Sequence, residues 1–447
     1  MDLRIANAAG FLLAALVLSL LPTASAQSRT SKKTTKKARS PAAKRPAWTS
    51  TPSPSRIDDY LSLARQTPIE NVAALVPFFE RLYRHQQGQA SENLHILHFG
   101  DSHTAADEWT GFLRALFQHR FGDGGSGYSY AGKPWNSYRR LDLRSSASKG
   151  WYSDGLAGRP GDGLYGLGGV SISTTRPGES VSLEASCDSL ELLYLQQPGG
   201  GELIFHDNGA AVERIITDGV LSPGYFRYPC SPGPHRFLIQ TAERRPVRLF
   251  GWVAEQGRGI TYETLGINGA QAAIVFRWEE NLHAALLAKR DPALIVLAYG
   301  TNEAGDKDWT LENYRAMFAS LIHRFRKASP SASILVIGPP DRFTRVRGRG
   351  WQPFDNVDRI IQAQRDAALG TGCAFLDLRA KMGGKGSMRG WVQSGLAQAD
   401  YVHFTAPGYR ILGGALFQDL MQHYGAFLKI REQLMGQEKN GQAIENH

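Results

Sequence analysis

The sequence predicts an α/β domain built on a parallel sheet with helices on both faces, interrupted by an inserted β-sandwich. Two textures and one distribution predict it. Residues 94–121 and the stretch after 257 alternate apolar strand-like runs with helix-spaced ones, the pattern of a parallel sheet with crossover helices. Between them, over about 137–255, short apolar runs are broken by Gly and Pro, as in a sandwich of short antiparallel strands. Four polar blocks then sit at the ends of α/β strands or in adjoining loops, where such sheets bind ligands.

Taken in order, residues 1–26 read as an export signal. Arg4 and the free amine precede an apolar run over 8–21, and Ala24-Ser25-Ala26 supplies a small-residue cleavage site that leaves Gln27 first. The apolar run is shorter than the ~20 residues of a spanning helix. No later segment is long and apolar enough to span, and no cysteine follows the run for lipid attachment. The expectation is an exported, periplasmic protein with no integral membrane segment in its mature form. Residues 27–55 read as a basic linker. Arg29, Lys32, Lys33, Lys36, Lys37, Arg39, Lys44 and Arg45 carry most of the net charge of +10, and about +2 remains for the rest of the chain. The charge belongs to a tether that reads as a solvated linker, with electrostatic binding to an anionic polymer or membrane surface as the alternative, and no nucleic-acid partner is inferred.

Helix spacing over 57–64 and 71–85 opens the first part of the α/β domain, 56–136. A strand over 94–99 and a helix over 108–121 follow. Within the insertion, 137–256, the runs 170–173, 190–195, 203–205, 236–239 and 247–253 read as strands. The second part, 257–430, holds strands at 293–298, 333–337 and 374–378, and helices at 311–327, 356–369 and 407–427. Residues 431–447 are left as a flexible tail. Cys187 and Cys230 fall in the same β-rich region, so export permits a disulfide, but sequence leaves open whether they meet. Cys373 reads as a core thiol.

The four blocks are Gly100-Asp101-Ser102-His103-Thr104, Gly266-Ile267-Asn268-Gly269, Gly300-Thr301-Asn302-Glu303 and Asp400-Tyr401-Val402-His403. Ser102, between a strand and a helix, is an exposed nucleophile candidate, but a serine hydroxyl needs a base. His403 supplies one, and Asp400 can hold its tautomer and stabilise the imidazolium. The N–H groups of Ser102 and Gly269 and the amide of Asn302 are candidate oxyanion donors. Together they form the set needed for acyl transfer through a covalent serine ester. No third or fourth ligand clusters with Asp400 and His403, so no metal is assigned, and the chemistry requires no cofactor. His103 either touches substrate or packs locally. Trp135, Trp151, Trp252 and Trp351 either stack on sugar rings or pack in cores. The glycine-rich run 122–127 lacks the Lys and the following helix of a phosphate loop and reads as a flexible active-site loop.

These residues resemble the SGNH (GDSL-like) hydrolase superfamily, with Ser102, Gly269, Asn302 and His403 as its four named positions and Asp400 completing the triad. The resemblance covers about 92–136 and 257–430 and implies a flavodoxin-like three-layer α/β/α fold. The block Gly-Asp-Ser-His-Thr-Ala-Ala-Asp at 100–107, the long β insertion and the ending Asp-Tyr-Val-His-Phe-Thr-Ala-Pro-Gly-Tyr at 400–409 resemble the peptidoglycan O-acetylesterases of Gram-negative periplasms. That narrower resemblance implies a carbohydrate-binding-like insertion and an O-acetylated glycan partner, peptidoglycan acetylated at C6 of muramic acid. The basic tether is not a hallmark of that family. An acetyltransferase using the same residues and a wall-binding protein with an idle triad are the rival expectations. The oligomeric state is not legible in the sequence.

Overall fold

The computed structural model describes residues 68–445, with side chains to residue 433. The export signal, the basic linker and the helix expected over 57–64 lie outside the described residues. After a short helical turn at Val72–Leu75 and a helix at Val76–Gln86, β1 (Leu94–Gly100) enters the main sheet. The inserted strands follow: β2 (Gly127–Tyr130), β3 (Arg144–Ala147), β4 (Tyr152–Asp154), β5 (Ser171–Thr174), β6 (Ser180–Gln196), β7 (Glu202–Asp207), β8 (Ala210–Ile216), β9 (Ser222–Thr241) and β10 (Val247–Glu255). The chain then returns through β11 (Ile260–Gly266), β12 (Leu294–Ala298) and β13 (Ser333–Ile337), makes a hairpin of β14 (Phe343–Val346) and β15 (Gly350–Pro353), and closes with β16 (Ala374–Leu376).

The main sheet is parallel, in the order β11-β1-β12-β13-β16. Counted along its own strands this is 2-1-3-4-5, the flavodoxin-like order, which reverses direction between β1 and β12. Both faces are covered, so the strands read as apolar runs and alternate residues serve two cores. Leu97, Phe99, Ile295, Leu297 and Val336 face the helices Glu280–Arg290, Leu311–Ala328 and Asn356–Gly370. Ile96, Tyr262, Val296 and Leu335 face the helices Val76–Gln86, Glu108–Phe121 and Ala406–Glu445.

Strand β11 is missing from the sequence-based expectation because its buried run Ile-Thr-Tyr-Glu-Thr-Leu-Gly is half polar. Tertiary partners satisfy those groups. Arg290 Nε donates to Glu263 at 2.8 Å, Thr261 Oγ1 donates to Glu263 at 2.9 Å, and Thr264 bonds both Asp107 and Arg114. Asp107, with φ of 55°, is buried and also accepts the Leu141 N–H at 2.7 Å and the Arg114 guanidinium at 2.8 Å. It thereby ties the segment after Ser102 to β11 and to the start of the insertion.

The insertion forms a nine-stranded sheet whose pairings are all antiparallel and continuous, because the long strands β6 and β9 serve both of its halves. A bulge between Cys187 and Ser189 shifts the alternation by one residue. Inward positions run Val181, Leu183, Ala185 and Cys187 before it, and Leu190 and Leu192 after it. Past the bulge the opposite face, with Leu193 and Leu195, joins the core of the main domain. Cys187 and Cys230 meet beside this bulge as free thiols, their Sγ atoms 3.8 Å apart, and Cys373 is a buried thiol.

Three expectations change. Residues 127–130, assigned to the α/β part, pair with β10 in the inserted sheet. The glycine-rich run 122–127 is not at the active-site edge. The helix Glu108–Phe121 carries the chain back to the amino end of the sheet, where Gly124 N–H donates to the Ile260 carbonyl at the start of β11. The final helix does not stop before a tail at 431. It continues to Glu445, and Arg431 ties it down by pairing with Glu80 at 2.9 Å and lying over the Tyr83 ring.

Candidate active site

The parallel register sets Gly100 beside Gly266 on one side and Ala298 on the other. Ser102, Gly269 and Asn302 lie two, three and four residues beyond those points. All three therefore emerge at the carboxyl edge, at the reversal of strand order. Ser102 opens a single helical turn, Ser102–Ala105, which Asp101 caps by accepting the His103 N–H at 2.9 Å. This turn lies directly on the strand ends because glycine permits it. A Cβ at Gly100 would meet Thr104 Oγ1 at 2.2 Å, and one at Gly266 would meet the Ala105 nitrogen at 2.2 Å.

The Asp400–His403 loop arrives from the chain segment before the last helix. Ser102 Oγ lies 3.0 Å from His403 Nε2, and His403 Nδ1 lies 2.8 Å from Asp400 Oδ2. The other carboxylate oxygen, Oδ1, accepts the N–H groups of Val402 and His403, each at 3.0 Å. Partial burial pushes the Asp400 carboxyl up, but the hydrogen bonds from His403 and these two amides outweigh it and hold the pKa below its ordinary value. The carboxylate therefore stays ionised where the imidazole needs an acceptor. Between them Tyr401 takes φ of 57°, a strained setting for a bulky residue, and the loop holds it there.

His103 packs against its neighbours. It is buried, its Nδ1 pairs with the Tyr409 hydroxyl at 2.9 Å, and its ring lies 5.2 Å from that of His403. Burial pushes its pKa down to about 3. It thus supports the His403 ring as a neutral imidazole and adds no second positive charge.

Gly269 is the positive-φ residue of a tight turn in which Ala270 N–H returns to the Ile267 carbonyl at 3.1 Å. The Asn302 amide nitrogen donates to the Ala270 carbonyl at 2.8 Å, which fixes its orientation and leaves a second N–H. Among the described residues, no protein acceptor meets the backbone N–H of Ser102 or of Gly269. Three donors from three strand ends are thus left for a ligand.

Glu303, quoted in the third block but given no role by sequence reasoning, joins two of these loops. Its Oε1 accepts the Ala272 N–H at 2.7 Å and the Tyr314 hydroxyl at 3.1 Å, and its Oε2 accepts the Gly300 N–H at 3.0 Å. Burial pushes this carboxyl up to about 7, against the Ala272 N–H and Tyr314 bonds that favour the anion. Below the ordinary value of 4.5 both folded and unfolded chains hold the proton. Between 4.5 and about 7 the unfolded chain releases it while the fold retains it, so stability declines as pH rises through that window. The decline is on the order of 3 kcal/mol. Glu303→Gln, whatever its absolute stability, should show a flatter pH dependence there in equilibrium denaturation. Parallel curves would refute this.

The tryptophans divide. Trp252 is in the core of the insertion, and Trp135 and Trp151 pack partly buried against cores. Trp351 stacks on the Tyr401 ring with centroids 4.9 Å apart. Among the described residues, no group of three His, Cys, Asp or Glu side chains is placed to hold a metal ion, and no helix is long and apolar enough to cross a membrane.

Comparison with known proteins gives the following likenesses. The model of the GDSL-like Lipase/Acylhydrolase family matches residues 216–411. That span holds Gly269, Asn302, Asp400 and His403 but not Ser102, which the insertion separates from them. A solved peptidoglycan O-acetylesterase, captured in action, is 29% identical, with a match over 78% of this chain and 96% of that one at a TM-score of 0.67. A family two carbohydrate esterase from Clostridium thermocellum is 10% identical over 57% of this chain and 94% of its own, with a TM-score of 0.28. A salicylyl-acyltransferase from a tetracycline biosynthetic pathway is 12% identical over 64% and 98%, with a TM-score of 0.27. No curated protein matches the chain.

Proposed function

We propose that this chain, a GDSL-like esterase, is exported and removes O-acetyl groups from a cell-wall glycan, with peptidoglycan acetylated at C6 of muramic acid as its substrate. The observation that carries the mechanism is the unbroken line from Ser102 Oγ through the His403 ring to Asp400, with steps of 3.0 and 2.8 Å. Ser102 Oγ attacks the acetyl carbonyl while His403 Nε2 takes its proton, and Asp400 stabilises the imidazolium. The oxyanion is held by the N–H groups of Ser102 and Gly269 and the free N–H of Asn302. Collapse expels the sugar alkoxide, which takes its proton from His403. Water, deprotonated by His403, then attacks the acyl-serine and releases acetate.

The substrate reading is supported by the 29% identical peptidoglycan O-acetylesterase, whose match spans 96% of its chain. Export would follow from a signal cleaved after Ala26, and a wall substrate requires an extracytoplasmic enzyme. The test is acetate release from natively O-acetylated peptidoglycan by the chain starting at Gln27, with Ser102→Ala as control. Release that vanishes in the variant is the expected result. Ser102-dependent cleavage of a small acetyl ester without release from the polymer would move the substrate elsewhere. Acetyl transfer to an added glycan acceptor in place of acetate would make the enzyme a transferase.

A further inference from the structure

Beside the Asp400–His403 loop lies a concentration of positive charge that the proposed chemistry does not use. The β14–β15 hairpin carries Arg345, Arg347 and Arg349, all exposed. A groove of about 650 Å³ runs along it, lined by Arg349, Lys307, Arg359 and Lys385. The nearby acids Asp355 and Asp358 are already engaged, both by Lys385 and Asp358 also by Arg379. Among the described residues, no carboxylate pairs with Arg345, Arg347, Arg349, Lys307 or Arg359.

The groove and its hairpin connect to two loops of the site. One wall is Ala304, two residues after Asn302 and held by the Asn356 side chain at 2.9 Å. The hairpin is fastened to Tyr401, the residue after Asp400. Phe343 N–H donates to the Tyr401 carbonyl at 3.0 Å, and Trp351 stacks on the Tyr401 ring. A neutral acetyl ester gives five unpaired cations nothing to bind. A polymer that carries anions at intervals does, and guanidinium groups suit carboxylates.

We propose that this groove binds carboxylates of the polymeric substrate, those borne on the peptide stems of a wall glycan, and so seats a strand with an acetyl group at Ser102. The inference rests on the wall-glycan reading above. Two full-chain variants test it: Arg345→Glu/Arg347→Glu/Arg349→Glu, and separately Lys307→Glu/Arg359→Glu. On a small neutral acetyl ester both should keep kcat/KM within about twofold of the parent, because these side chains lie outside the reacting groups. On O-acetylated peptidoglycan with intact stems, kcat/KM should fall at least about tenfold. The parent should lose the same advantage when the stems are removed or the salt is raised.

Variants as fast as the parent on intact polymer would overturn the proposal. So would a parent indifferent to stem removal, or variants slowed equally on the small ester. If the parent releases no acetate from any wall polymer, the substrate reading itself fails. The groove is then decided by co-sedimentation of the Ser102→Ala protein with peptidoglycan sacculi: binding lost on charge reversal retains it, and unchanged binding ends it.

Discussion

Ser102→Ala is expected to lower turnover of an acetyl ester by roughly 10⁴- to 10⁶-fold while leaving thermal unfolding unchanged. The reason is structural as well as chemical. The hydroxyl makes its one side-chain hydrogen bond to His403, and the turn that carries it is held by the Asp101 cap and by close packing on Gly100 and Gly266. Removing the oxygen would therefore delete the proposed nucleophile without loosening its support. His403→Ala should fall into the same range. The double variant should be no more than about twofold slower than either single one, because nucleophile and base act as a unit. Independent, multiplicative losses would mean that the two side chains do not share one proton transfer. Parent-like activity in either single variant would remove the mechanism.

Asn302→Ala is expected to cost about 10² to 10³ in kcat with little change in KM. Its amide is fixed before substrate arrives by the bond to the Ala270 carbonyl. In the proposed mechanism its second N–H would stabilise the oxyanion of the transition state more than the ground-state carbonyl. The backbone at Asn302 has φ of −79° and ψ of −38°, an ordinary helical setting that alanine accepts, so the fold should persist. A rise in KM at constant kcat would instead assign Asn302 to uniform substrate binding. Steady-state kinetics on one soluble ester separates the two outcomes.

The four blocks were legible because their residue types are few and each ends a predicted strand or occupies an adjoining loop. Glu303 was visible as a letter and not as a role. Its importance lies in accepting hydrogen bonds from Ala272 and Gly300, which belong to different loops. Asp107 was likewise only the end of a motif, yet it is a buried carboxylate that Arg114, Thr264 and Leu141 all meet. Strand β11 was overlooked for the same cause. Its Thr and Glu residues look like solvent-facing positions until Arg290, Arg114 and Asp107 are placed against them. Polar groups on a buried strand are affordable only when distant partners satisfy them, and periodicity carries no record of those partners. The glycine-rich run 122–127 erred in the opposite direction. Its composition suggested a mobile loop, but the direction of the preceding helix put it at the far end of the sheet.

What the sequence by itself determined was local and chemical. Alternating apolar runs specified strands and helices, the change of texture marked the insertion, and residue types named candidates for a nucleophile, a base, an acid and oxyanion donors. What only the tertiary structure decided was their coincidence. Ser102 and His403 are 301 residues apart in the chain. Their contact depends on the strand order β11-β1-β12, on two glycines that let the serine turn lie on the sheet, and on a loop that holds Tyr401 in a strained conformation. Hydrogen bonds are made over about 3 Å and only in the right direction. A pattern read along one dimension can supply the groups, but the packing of both faces of the sheet is what brings them within that distance.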